Sequence, residues 1–114
     1  TPSSVDLNRS EQILQSFVKL LKTYYKEEHE TAFYANRLSI TSHHLNWVIK
    51  RLTGHTVSEL IYDLLYCEAC ILLNQSNHSI EEITDELHFS DASAFCKFFK
   101  RRTSITPLQY RKGL

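Results

Sequence analysis

Cys67 and Cys70 form a C-x-x-C, and His43 and His44 stand side by side; these are the arrangements in this 114-residue chain closest to metal or thiol chemistry. A structural zinc site needs four convergent ligands, and no second C-x-x-C or suitably spaced His pair accompanies the cysteines. A redox C-x-x-C needs a strand and a βαβ setting, whereas Cys67 and Cys70 fall in an apolar stretch at residues 60 to 73. Cys67 and Cys70 therefore read as small buried residues and His43 and His44 as surface polar groups, with the six His scattered along the chain. There is no Gly-rich phosphate loop and no nucleophile in a recognisable catalytic motif. The chain reads as a non-enzyme with no metal and no cofactor.

The chemistry that does stand out is charge. The formal net charge is zero, with 13 Lys+Arg against 13 Asp+Glu, but the signs are segregated. Residues 52 to 96 hold no Lys or Arg and eight acids: Glu59, Asp63, Glu68, Glu81, Glu82, Asp85, Glu86 and Asp91. Residues 97 to 114 hold six bases and no acid: Lys97, Lys100, Arg101, Arg102, Arg111 and Lys112. Arg37, Lys50 and Arg51 lie in another acid-free stretch. Such runs are commonly solvated faces, and they become a phosphate-binding signal only if the fold gathers them on one surface.

The elements that must do the gathering are helices. With 42% hydrophobic and 11% aromatic residues the chain can bury a core, which excludes disorder; two Gly and two Pro are too few for many short strands and their turns. An odd number of cysteines, three, fits a reducing compartment, and no signal segment or 18-residue apolar run is present, so the expected location is cytoplasmic. The chain has no Met, which implies a piece of a longer protein with its effector or dimerisation domain elsewhere.

Along the chain, Asn8 with Glu11 reads as a capping pair opening an amphipathic helix that ends near Glu28. A short helix follows over 31 to 38, a turn at Ser39 and Ile40, and a helix capped by Thr41 and stopped by Gly54. Thr56 with Glu59 opens a helix over 57 to 74, apolar on most of its circumference and so expected to be buried on several sides. Ser79 with Glu82 caps a helix through Leu87, Ser90 caps another through Arg102, and Thr106-Pro107-Leu108-Gln109 opens a short last one.

A repeat runs through these elements. Leu38, Ile40 and Thr41 recur 49 residues later as Leu87, Phe89 and Ser90; after one extra residue, Leu45, Lys50, Gly54, Thr56 and Leu60 recur 50 later as Phe95, Lys100, Ser104, Thr106 and Tyr110. Each copy is helix, short turn, capped second helix: the helix-turn-helix pattern. The expected fold is all-α with about seven helices: an N-terminal helix and first helix-turn-helix over 1 to 55, a central linker helix over 56 to 75, and a second helix-turn-helix over 76 to 114.

These residues resemble the DNA-binding domain of the AraC/XylS family of bacterial transcription regulators. The carrying motifs are Ala35-x-x-Leu38-x-Ile40-Thr41-x-x-x-Leu45, Lys50-x-x-x-Gly54, Ala69-x-x-Leu72-Leu73, Ile80-x-x-Ile83, Phe89-Ser90-Asp91-x-Ser93-x-Phe95-x-x-x-Phe99-Lys100 and Thr106-Pro107-x-x-Tyr110-Arg111. Ser39, His88 and Ser104 stand where the family usually has Gly, at turns that favour positive φ, and Leu65 stands where it commonly has Arg.

The resemblance implies that the second helix of each copy enters the major groove of double-stranded DNA, the central helix holding the two readers about one helical turn, roughly 34 Å, apart. Family base-contact positions map onto His43, Asn46 and Trp47, and onto Ser93, Cys96 and Lys97. Asn46 is suited to adenine at two points, Trp47 to a thymine methyl and Lys97 to guanine. Thr41 and Ser90, at helix starts, are expected to meet phosphate, as are Lys50, Lys100, Arg101 and Arg102. The acidic stretch offers a surface to a further partner such as RNA polymerase. The competing reading is a helical protein–protein interaction module that uses this acidic surface without DNA. In that reading Trp47 packs on the first helix or on a partner, and Arg111 and Lys112 only complement the dipole of the last helix.

Overall fold

The structure, a computed structural model, describes residues 4 to 113, with side chains described from residue 9. Among the described residues there are seven helices and no strand: α1 (Ser4–Tyr24), α2 (Thr31–Arg37), α3 (Ser42–Thr53), α4 (Val57–Gln75), α5 (Ile80–Glu86), α6 (Ala92–Thr103) and α7 (Pro107–Arg111). The chain divides into two compact units, Thr1–Asp63 and Leu64–Leu114, with the division inside α4.

In the first unit, α1 already runs at Ser4, so Asn8 lies inside the helix and not at its start; its side chain is outside the described residues. The helix ends at Tyr24, earlier than expected, in a turn held by Glu28 N–H to the Tyr24 carbonyl (2.8 Å) and by Tyr34 OH to the Glu28 carbonyl (2.8 Å). Phe17 packs edge-on against Tyr34 with centroids 5.6 Å apart, and Leu45, Val48 and Ile49 of α3 complete the buried centre with Val57 and Ile61. The Arg37 guanidinium lies over the Tyr24 and Phe33 rings, at 5.1 and 4.9 Å. That places it beside the end of α1, on the exposed side of α2.

The second unit builds its centre from Leu65, Ala69, Leu72 and Leu73 of α4, Ile83 and Leu87, and Phe95 and Phe99 of α6, all buried. Leu65 is fully buried, so the residue standing in place of the family's arginine adds apolar packing. Along α4 the buried residues form a single stripe at three-and-four spacing. Leu60, Leu64, Tyr66 and Cys70 are half-buried on its other sides while Cys67 and Ile71 are exposed, so the expected burial on several sides is only partial. The reading of Cys67 and Cys70 as buried is corrected, since Cys67 is exposed and Cys70 only half-buried; these two and Cys96 are free thiols. No helix among the described residues is long and apolar enough to cross a membrane.

Candidate nucleic-acid interface

Local backbone chemistry sets up each helix-turn-helix. In the first, α2 ends in a left-handed residue, Ser39 (φ 59°), and Ile40 N–H reaches back to the Ala35 carbonyl at 3.0 Å. In the second, His88 (φ 59°) takes the same place, and Phe89 N–H reaches the Thr84 carbonyl at 3.1 Å. Both turns satisfy the last carbonyls of the preceding helix without the glycine that such a cap prefers. The second helices then end alike, at Gly54 (φ 80°) and Ser104 (φ 68°), each donating its N–H to the carbonyl of Lys50 or Lys100.

The second helices of the two units begin differently. Thr41 caps α3 by accepting the His44 N–H at 3.0 Å. The cap of α6 is Asp91, accepting the Ala94 N–H at 2.7 Å, and the expected cap Ser90 lies one residue outside it. This is the physical origin of the change in repeat offset from 49 to 50: the second turn carries one more residue before its cap. It also puts a carboxylate at the positive end of α6, the place where a phosphate would otherwise sit.

On α3 the buried residues Leu45, Val48 and Ile49 leave His43, His44, Trp47, Lys50 and Arg51 exposed on the other side, with Trp47 at 50%. An open groove on that face is lined by His43, Asn46, Trp47, Lys50 and Arg51. The Arg51 guanidinium sits 5.1 Å above the Trp47 ring, and the His44 ring lies 6.4 Å from it, so Trp47 is flanked by its own helix neighbours. Asn46 is the half-buried member of this face. Its Oδ1 accepts the Val57 N–H at 2.9 Å, so the oxygen that a two-point pair with adenine would use is turned toward α4.

On α6, Phe95 and Phe99 point into the centre while Ser93, Lys97, Lys100 and Arg101 are exposed and Cys96 is half-buried. Burial, and then the nearby Glu81 carboxylate, raise the Cys96 thiol above its ordinary range, which keeps it neutral at pH 7. Arg102 is also exposed, and its guanidinium lies over the Tyr66 ring at 5.2 Å and the Phe98 ring at 5.8 Å. Its repeat partner, Leu52, is half-buried. Arg51, the repeat partner of Arg101 50 residues on, is exposed and lines the same face as the expected residues.

Among the described residues no group of three or more His, Cys, Asp or Glu is gathered as a metal would need. What each unit offers is a second helix with a polar, basic outer face set up by a tight turn, which defines a helix-turn-helix protein with two such units. The chain matches the helix-turn-helix domain family over residues 34–113. It is 27% identical over 111 residues to the HTH-type transcriptional activator RhaR of Escherichia coli K12, covering 97% of this chain and 39% of that protein. It is similar to a Chromobacterium violaceum transcriptional regulator with an AraC-type DNA-binding domain, at TM-score 0.77 and 25% identity, covering 92% of this chain and 94% of that one. The DNA-binding domain of AdpA, solved with a target DNA, shares the fold at TM-score 0.77 and 20% identity, over 89% and 90% of the two chains. The chain belongs to the helix-turn-helix domain family and is a DNA-binding domain of the AraC type.

Proposed function

We propose that this chain is the DNA-reading part of a cytoplasmic bacterial transcription regulator, binding a specific duplex sequence with α3 in one major-groove segment and α6 in another, without catalysis. The observation that carries the reading is the matched pair of outer faces: His43, Asn46, Trp47, Lys50 and Arg51 on α3 recur 50 residues on as Ser93, Cys96, Lys97, Lys100 and Arg101 on α6, while the opposite faces are buried. Base edges are met by His43, Asn46 and Trp47 in one element and by Ser93, Cys96 and Lys97 in the other. Phosphates are met by Thr41, Lys50, Ser90, Lys100, Arg101 and Arg102, with Arg51 added from its place beside Trp47. The chain spans 39% of the length of RhaR, and effector sensing or dimerisation belongs to further sequence. The acidic run over 52 to 96, which repels phosphate, is the segment we assign to protein contact, RNA polymerase among the candidates.

The test is selection from a random duplex pool at several salt concentrations. A non-palindromic site with two elements is expected, with log affinity falling against log salt at a slope of about −5 for about six phosphates. Lys97→Ala should weaken preference in one element only. Lys100→Gln should reduce the slope by about one at unchanged thermal stability, whereas Arg102→Gln should lower stability as well. Weak binding without sequence preference in every arm would refute the reading.

A further inference from the structure

Asn46 and Cys96 occupy matching places on α3 and α6, and the residues that open the next helices, Val57 and Pro107, are matched by the same offset of 50. The two pairs are chemically opposite. Val57 is the first residue of α4, so its N–H has no acceptor within the helix, and Asn46 Oδ1 supplies one at 2.9 Å. Proline has no N–H, so Pro107 at the start of α7 leaves nothing to satisfy, and a thiol stands in place of the carboxamide. A backbone N–H can only donate, so it must face the carboxamide oxygen. Oδ1 is thereby turned to α4, and the amide nitrogen is the group left to the groove that Asn46 lines with His43, Trp47, Lys50 and Arg51.

We propose that Asn46 determines specificity by presenting DNA with its amide donor, its oxygen being turned to the Val57 N–H. This rests on the assignment of α3 as a reader. In the major groove adenine, guanine and thymine each offer an acceptor, at N7, at N7 and O6, and at O4; cytosine offers the N4 amino donor. The signature is therefore exclusion of cytosine at one position of the first element, with adenine no better than guanine or thymine. A free asparagine would instead select adenine through both of its polar atoms.

The experiment is the duplex selection run on the wild-type chain, Asn46→Asp and Val57→Pro, with folding checked by circular dichroism. In Asn46→Asp one carboxylate oxygen keeps the Val57 N–H and the other becomes an acceptor, so preference at that position should turn toward cytosine by roughly tenfold. Val57→Pro removes the N–H and releases the oxygen, so adenine preference should appear. In parallel, Asn46→Ala should lower the melting temperature of the wild-type chain and have little effect in the Val57→Pro background. An enriched site that requires adenine in the wild type, or an Asn46→Asp chain with unchanged base preference, would overturn the inference while leaving the DNA reading intact. A wild-type chain that enriches no sequence would overturn both.

Discussion

The Arg111 guanidinium donates from Nε to the Leu73 carbonyl at 3.0 Å, and from Nη2 to the Leu72 carbonyl at 3.3 Å. Both acceptors belong to the last turn of α4, the negative end of the helix dipole, and the Leu72 carbonyl also accepts from the Ser76 N–H at 3.2 Å and hydroxyl at 2.6 Å. Tyr110 joins the same seam by accepting from Asn74 Nδ2 at 3.1 Å. The basic residue that looked like a complement to its own short helix serves the end of another. Within the second unit it holds the closing segment in place.

Arg111→Ala should therefore cost about 2 kcal/mol, as expected for charged hydrogen bonds to a half-buried site, and lower the melting temperature by roughly 10 °C. The salt slope of DNA binding should be unchanged. Thermal denaturation together with a salt titration checks both. A reduced slope at unchanged stability would place Arg111 on phosphate instead.

Three non-glycine residues among those described hold a positive φ: Ser39, His88 and Ser104. The left-handed conformation costs an L-residue roughly 1–2 kcal/mol, partly offset by the greater chain entropy that glycine loses on folding. Ser39→Gly and Ser104→Gly should each stabilise the chain by about 0.5–1 kcal/mol, measured by urea denaturation. His88→Gly should gain less, because it gives up the imidazole contact from Nδ1 to the Glu86 carbonyl at 3.1 Å. Gly54→Ala is the mirror case and should destabilise by about 1 kcal/mol, through φ alone, since nothing lies near an added Cβ.

Asp91 has two consequences that separate on substitution. Asp91→Ala removes the α6 cap and should cost about 1 kcal/mol, whereas Ser90→Ala, outside the cap, should cost much less. Asp91→Asn keeps an acceptor for the Ala94 N–H and removes the negative charge, so stability should be nearly held while DNA affinity at low salt rises severalfold. Affinity unchanged between Asp91 and its Asn variant would show that the α6 start stays clear of phosphate.

Glu59 and Glu82 both have carboxyls held below the ordinary range, first by the hydrogen bonds from the backbone N–H of Thr56 and Ser79, at 2.7 Å each. A lowered folded-state pKa means stability that is present above the unfolded carboxylate range and is lost as pH falls through the folded value. The loss should therefore appear in acid and not near neutrality. Gln109 closes the equivalent box at Thr106 without a charge, so it has nothing to lose. Glu59→Gln and Glu82→Gln should each flatten the fall in stability between neutral and acidic pH. Melting curves at stepped pH test this, and an unaltered profile in the double variant would reject it.

Much of the scaffold was legible because it is local chemistry. The boxes at Thr56, Ser79 and Thr106 pair atoms three residues apart, Gly54 ends its helix where it stands, and the 49-then-50 repeat betrays two helix-turn-helix copies. The exposed readers on α3 and α6 follow from the spacing of their buried partners. The start of α6 was misread because Ser90 and Asp91 are both good caps, and the choice depends on where Phe95 must enter the centre.

By itself, then, the sequence determined the helices, most of their caps, the two-copy architecture and the side of each reader that is polar, since periodicity and capping act within a turn or two. Only the tertiary structure decided which of those polar atoms are already engaged. Asn46 meets Val57 11 residues away, Arg111 meets Leu73 38 residues away, and Arg102 stacks on Tyr66 of a different helix. Hydrogen-bond partners brought together by packing leave no periodic trace in the chain, so residue type names what a side chain can do, and the fold sets which of its atoms remain free to do it.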